Sequence, residues 1–410
     1  MSGDACAALR DRSRLNLQLG EEYIVGAKSW SRFTDEQVEY AQAVRAFCDR
    51  EVGTREQRAA LTDNGTELHN QQLHQKFADA GLLAVSIPEE YGGSGGGLVE
   101  QCLMFEEMYR GLAPLHGAGS SHTVAGIYKK FGSEDQKKSA LSAISTGTVM
   151  SISISEPEAG SDAANISCRA ERRGDSFIIN GQKTWCSDAH VAGAILLVAR
   201  TSRDGKRHNG LTMFEVPTGT KGLTIRPIPT MGGREVNDLY FQDVEIAASA
   251  VVGQEGGAWK QIMSGLNGER LVCAAQALGS AQRTFDDLLA YVKERKQFGR
   301  PIGTFQALRH RIADLAIEIE AGRSLVYDTV FLVQNGGPAD ELVRKTSMAK
   351  VKMTEVAKKV ALEGVQMMGG YGYATEYGME SHLRQSIAPT IYAGTNEVQR
   401  EIISTTFGLR

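Results

Sequence analysis

The sequence predicts a mainly α-helical protein with a β-barrel or sandwich at its centre, and three changes of pattern predict it. Apolar residues recur at helical spacing from Thr34 to about Thr148, then at alternate positions to Val252, then at helical spacing again from Gly257 onward. Turn signals such as Asn180-Gly181 and Arg203-Asp204-Gly205 punctuate the middle part, and Gly336-Gly337-Pro338 breaks the last. The resulting organisation is an extension at 1–30, a helical domain at 31–148, a β domain at 149–255 and a helical bundle at 256–410.

In the extension, Arg10, Arg12 and Arg14 stand beside Asp4, Asp11, Glu21 and Glu22. That acid content is unlike a transit peptide, and there is no signal-peptide core. In the first helical part, Val38, Ala41, Val44, Phe47 and Cys48 form one stripe. Gly92–Gly97 has five glycines and a serine but no following Lys-Ser/Thr, so it reads as a surface turn rather than a phosphate loop. The strands are 151–155, 176–180, 194–199, 211–216 and 223–228, and the long helices are 258–295, 305–334, 338–368 and 395–405.

Bulk composition limits the function. Of 410 residues, 42% are hydrophobic and 23% charged, with a net charge of -4, which argues against a broad nucleic-acid surface. No apolar run has the length of a membrane span. The six cysteines are scattered without metal spacing and read as reduced thiols of a cytosol-like compartment. No metal or Ser-His-Asp pattern is present.

One carboxylate interrupts an apolar stripe. Ile262, Leu266, Glu269, Cys273 and Ala277 share a helix face, so Glu269 points toward an interior or a pocket. On this spacing alone it is either an ion-paired core residue or a carboxylate with a raised pKa, suited to general-base work. Three further segments hold candidate chemistry. Ser155–Asp162 ends a strand with small residues that allow close approach to a ring or phosphate, or form only a tight turn. Trp185 and Ser187 project from one side of a strand, as cofactor platform or as core. Gly369-Gly370 ends a long helix and Thr395 N-caps the last; these glycines follow no strand, which excludes a Rossmann site.

Pro88–Gly93, Ser155–Asp162, Glu294–Gly299 and Gln366–Tyr373, in this order, resemble the acyl-CoA dehydrogenase family of flavoproteins from about Phe33 to Leu409. The resemblance implies an N-terminal helical domain, a central β-barrel, a C-terminal four-helix bundle and non-covalent FAD, usually in a homotetramer. It implies that Ile152, Ile154, Ser155, Ser161, Trp185 and Ser187 line the isoalloxazine. Arg295, Phe298, Gln306, Gln366, Gly369 and Gly370 would reach the adenine-diphosphate half across a subunit interface, and Thr395 and Glu397 would complete the flavin site.

Many family members place the catalytic glutamate directly before the last Gly-Thr, where this chain has Ala393. The isovaleryl-CoA dehydrogenase-like branch instead supplies it from the earlier helix, within Gly-Leu-x-x-Glu-Arg, and this chain reads Gly265-Leu266-Asn267-Gly268-Glu269-Arg270 there. The resemblance therefore implies Glu269 as the base, with Ser161, Asn267, Arg270, Ala393 and Gly394 on the substrate. It implies α,β-dehydrogenation of an acyl-CoA to the trans-2-enoyl-CoA, with electrons passed to an electron-transferring flavoprotein. The expected location is cytoplasmic, or the mitochondrial matrix in a eukaryote. Two rivals are a catalytically silent acyl-CoA-binding subunit of a mixed oligomer and a flavin oxidase or monooxygenase on the same scaffold. Acyl chain length and branching are not legible.

Overall fold

The computed structural model describes residues 33–409, and the extension expected at 1–30 lies outside them. Six helices come first: α1 (Asp35–Val52), α2 (Arg55–Leu61), α3 (Gln71–Asp79), α4 (Leu98–Arg110), α5 (Gly117–Phe131) and α6 (Glu134–Ser145). Thr34, Thr54 and Ser133 start α1, α2 and α6, each answered by a glutamine three residues on. These capping boxes satisfy backbone donors that a helix start leaves free.

Strands follow: β1 (Met150–Ser153), β2 (Arg169–Arg173), β3 (Ser176–Ser187), β4 (Ala194–Arg200), β5 (Leu211–Pro217), β6 (Leu223–Pro227), β7 (Val236–Ala247) and β8 (Val251–Val252). They pair in the order β6-β7-β3-β2-β4-β5-β8, while β1 runs parallel to β4 beside this path. The hydrogen-bonded path does not close, because its end strands β6 and β8 do not pair with each other. Phe177, Ile195, Leu197, Phe214, Leu239 and Val244 fill the space the sheet encloses.

One expectation for this region fails. Asn180-Gly181 is not a hairpin turn, since β3 runs straight through it with a register shift against β7. A Cβ on Gly181 would stand 2.7 Å from Cα of Cys168, so the glycine serves a close crossing with β2's approach rather than a reversal. A further register shift lies between Lys183 and Cys186, with Trp185 at φ 60; exposed Trp185 and half-buried Ser187 flank the buried Cys186.

The last part holds α7 (Ala258–Glu294), the short ribbon β9 (Lys296–Gln297) and β10 (Arg300–Pro301), α8 (Gln306–Gln334), α9 (Ala339–Met368), α10 (Gly370–Tyr373), α11 (Met379–Ile387) and α12 (Asn396–Thr406). The second half of α7 is buried through Leu271, Ala274, Leu278, Ala281, Phe285 and Leu288, against Leu315, Ile319 and Val326 of α8 and Met353, Val356 and Val360 of α9. On its other side α7 packs against α4. Among the described residues no helix is long and apolar enough to cross a membrane.

Glu106 of α4 ties the two helical parts together. Its carboxylate accepts hydrogen bonds from Arg323 and Tyr327 of α8, and Gln282 of α7 accepts a further one from Arg323 at 3.2 Å. All four side chains are buried. Removing one member of a buried ion pair strands the other charge, at a cost of about 3–5 kcal/mol. Glu106→Ala is therefore expected to lower stability by about that amount, read from urea or thermal unfolding; an unchanged midpoint would mean that the network adds nothing to the fold.

Candidate active site

The strand side of the site is built on an inverted pattern. In β1 the serines point inward, with Ser151 and Ser153 fully buried, while Ile152 and Ile154 stay half-buried. Burial of Ser151 is tolerable because its hydroxyl donates to the Ser187 carbonyl at 2.7 Å. The isoleucines are thus left to present apolar surface beside the Ser155 turn. Trp185 is 59% exposed and Ser187 half-buried. A planar apolar ring fits a face made of two half-open isoleucines and an open indole.

A buried ion pair, not foreseen from sequence, holds that turn. Lys183 donates to the Ile154 carbonyl at 2.7 Å and to Glu156 at 2.8 Å. Glu156 also accepts from the backbone N–H groups of Ser167 and Cys168. Burial pushes the Glu156 carboxyl up, but Lys183 and these N–H groups hold it below its ordinary value. The turn Ser155–Gly160 is therefore anchored at its base, while Ser161 beyond it is exposed.

Across the site, Glu269 lies in the first half of α7, with Asn267, Gly268 and Arg270 around it. Its side chain keeps some accessible surface, as a group facing a cleft does, yet its surroundings are crowded enough for desolvation to raise its pKa. Arg270 and Lys350 pull the other way but do not prevail. Among the described residues the carboxylate forms no hydrogen bond or ion pair. Both neighbouring cations are engaged elsewhere. Arg270 donates to the Asn267 amide oxygen at 3.2 Å, which Thr346 also meets at 3.2 Å. Lys350 donates to the Gly394 carbonyl at 2.9 Å and to Asn396 at 3.0 Å. A Cβ on Gly268 would meet nothing within 4 Å, so this mid-helix glycine borders open space and leaves the helix backbone accessible.

The turn before α12 supplies donors. Ala393 has φ 55 and Gly394 φ 82. Gln399 donates to both carbonyls, at 3.1 and 3.3 Å, and Lys350 to the second. Among the described residues the N–H groups of Ala393 and Gly394 donate to nothing. Thr395 caps α12 through Val398, and the exposed Glu397 is held below the ordinary glutamate range by backbone N–H and Thr395 bonds.

Of the remaining expected residues, Arg295, Phe298, Gly369 and Gly370 line a separate cleft of about 650 Å³, with Met367 and Tyr371 among its other walls. The Arg295 guanidinium lies 4.9 Å over the Tyr371 ring, and Phe298 is 92% exposed at φ 53. Gln306 and Gln366 are exposed nearby but do not line the cleft, and no residue of β1–β8 does. The sequence-expected residues thus fall into three groups within one chain: the strand turns, the Glu269 stretch with the Ala393–Glu397 turn, and this cleft.

The acyl-CoA dehydrogenase N-terminal domain matches residues 34–148, the middle domain 151–244 and the C-terminal domain 256–407. A probable acyl-CoA dehydrogenase of Bacillus subtilis, YngJ, is 35% identical over 90% of this chain and 97% of its own. The acyl-CoA dehydrogenase of Geobacillus kaustophilus superposes with a TM-score of 0.87 at 32% identity, covering 92% of this chain and all (100%) of that one. The FAD complex of PigA superposes at 0.85 with 26% identity, over 92% of this chain and 99% of that one. Fold and site define a flavin-dependent oxidoreductase with FAD as its cofactor. The chain belongs to the acyl-CoA dehydrogenase family.

One half-buried pair next to Ser187 sets a pH limit. Asp188 is 1% exposed and its carboxylate meets His116 Nδ1 at 2.8 Å, with Ser120 donating at 3.2 Å. Burial alone would lower the His116 pKa, but Asp188 raises it to about 9. An unfolded histidine titrates near ~6.5. The stabilisation by this pair is therefore complete below about 6.5 and lost as pH rises through about 9. Unfolding midpoints should fall over that window, and His116→Gln should flatten the fall; equal slopes would contradict the pairing.

Proposed function

We propose that the protein oxidises an acyl-CoA thioester to its trans-2-enoyl-CoA with Glu269 as the α-proton base. The observation that carries this reading is an unpaired, desolvated carboxylate in a site whose other wall presents free N–H groups. A carboxylate raised above its ordinary range takes a carbon-bound proton more readily than an ion-paired one. The N–H groups of Ala393 and Gly394 would receive the thioester oxygen as negative charge grows on it. FAD, when bound, supplies the hydride acceptor.

In this reading Ile152, Ile154, Ser155, Trp185 and Ser187 line the isoalloxazine, with Ser161, Asn267 and Arg270 toward the substrate. The Arg295–Gly370 cleft takes the adenine-diphosphate half of a cofactor held mainly by a neighbouring subunit. This is supported by its separation from the strand turns and by the exposed Phe298 on its rim. The same reading includes a homotetramer, a cytoplasmic location and electron transfer to an electron-transferring flavoprotein, with the central sheet wrapped as an open barrel. The isovaleryl-CoA dehydrogenase-like branch is supported by alanine before Gly394 together with glutamate at 269.

Glu269→Gln should retain the FAD spectrum yet slow anaerobic flavin reduction by acyl-CoA by about 10²–10⁴-fold, the range for loss of a general base. Reduction at the wild-type rate would refute the assignment, and a purified protein without FAD would favour the silent-subunit reading. For the wild type, the rate of flavin reduction should rise with pH through a pKa above the ordinary glutamate range. A flat profile would place the base elsewhere.

A further inference from the structure

Gln276 is a buried polar group that the proposed chemistry leaves unused. It stands seven residues beyond Glu269 on α7, so the two share nearly one azimuth and are separated by about 10 Å along the helix axis. Cys273 lies between them on the same face. The Gln276 side chain is only 6% exposed, and among the described residues its amide makes no hydrogen bond. Opposite it is Gly119 of α5, where an added Cβ would stand 3.4 Å from Nε2 and meet nothing else. The surroundings are polar. Ser120 donates to Asp188, and Tyr109, within electrostatic reach of Cys273, Asp188 and Glu235, has a hydroxyl with no hydrogen bond among the described residues.

A primary amide offers two donors and a carbonyl acceptor. Neither amide atom is sealed from solvent, so water meets them in the free protein, and a ligand that displaces this water on the face of Glu269 has to serve as their hydrogen-bond partner. A hydrocarbon tail cannot be that partner: it would displace water from the amide and return no hydrogen bond. The nearby charges do not select an ion, because His116 and Asp188 already neutralise each other and Glu235 is bonded to Thr230.

Taking Glu269 as the base, we infer that Gln276 determines specificity at the far end of the acyl pocket, and that the substrate is an acyl thioester bearing an uncharged hydrogen-bonding group, a hydroxyl or carbonyl, on the part of its chain remote from the thioester. The 10 Å offset (about seven helical rises) places that group several carbons from the α-carbon. Sites built around a hydrogen bond reject analogues that lack it far more strongly than apolar pockets reject a changed methylene.

The test is anaerobic flavin reduction by matched pairs of plain and ω-hydroxy acyl-CoAs, from butanoyl to octanoyl, with wild type and Gln276→Leu. In at least one pair the wild type should favour the ω-hydroxy member by about tenfold or more in kcat/KM, and Gln276→Leu should reverse that preference. A wild type that favours the plain member of every pair overturns the inference, as does a Gln276→Leu variant with an unchanged ratio. The wild-type ratios decide the matter if the variant does not fold. Failure of every thioester to reduce the flavin would instead overturn the role of Glu269, a result distinct from a preference for plain chains.

Discussion

The site depends on keeping two cations off one carboxylate. Glu269 sits where α7 changes from a half-open helix into a core helix, since the residues from Arg270 to Gly279 are all buried. Arg270 and Lys350 are both close enough to lower its pKa, and a salt bridge to either would make it a weak base. Each cation has another acceptor: Lys350 bonds Gly394 and Asn396, and Arg270 reaches Asn267 through one N–H while its buried Nε stays unbonded. Desolvation then dominates at Glu269. The same Lys350 bond that spares the carboxylate also fixes the Gly394 carbonyl, so one side chain bears on both the Glu269 carboxylate and the shape of the turn before α12.

That turn compensates for the change at position 393. An alanine at φ 55 is uncommon for a residue with a Cβ and requires surrounding contacts to hold it. Gln399 and Lys350 supply them through the two carbonyls, which leaves the N–H groups unspent. On the other wall, Lys183 and Glu156 perform the equivalent task for the Ser155 turn, from residues buried in the sheet. Both walls are therefore loops held from behind by a buried lysine, with the reacting face left open.

Much of this was legible in the sequence, and the failures have physical causes. The long helices end within one residue of expectation because glycine and proline punctuate them, as at Gly336-Gly337-Pro338. The azimuth of Glu269 followed from spacing alone. The strand β7 was missed because Asp238, Gln242, Asp243 and Glu245 dilute its alternation, although Asn237, Leu239 and Phe241, then Val244 and Ile246, mark one buried face across a bulge at Asp243. The exposure of Trp185, which decides between platform and core, is set by an irregularity between Lys183 and Cys186 that the sequence does not announce. The pairs Lys183–Glu156 and His116–Asp188 left no local signal, since their partners are distant in sequence and meet only in the fold. Gln276 lay one step off the apolar stripe and read as an ordinary helix residue. Only its unbonded amide on the face of Glu269 makes it conspicuous.

The central claim is that one carboxylate moves the α-proton. The most direct measurement is exchange of the α-hydrogen of bound acyl-CoA with D2O, followed by NMR under anaerobic conditions in wild type and Glu269→Gln, both loaded with FAD. The account predicts deuterium at the α-carbon with the wild type and none above background with the variant. Equal exchange in the two proteins would contradict it.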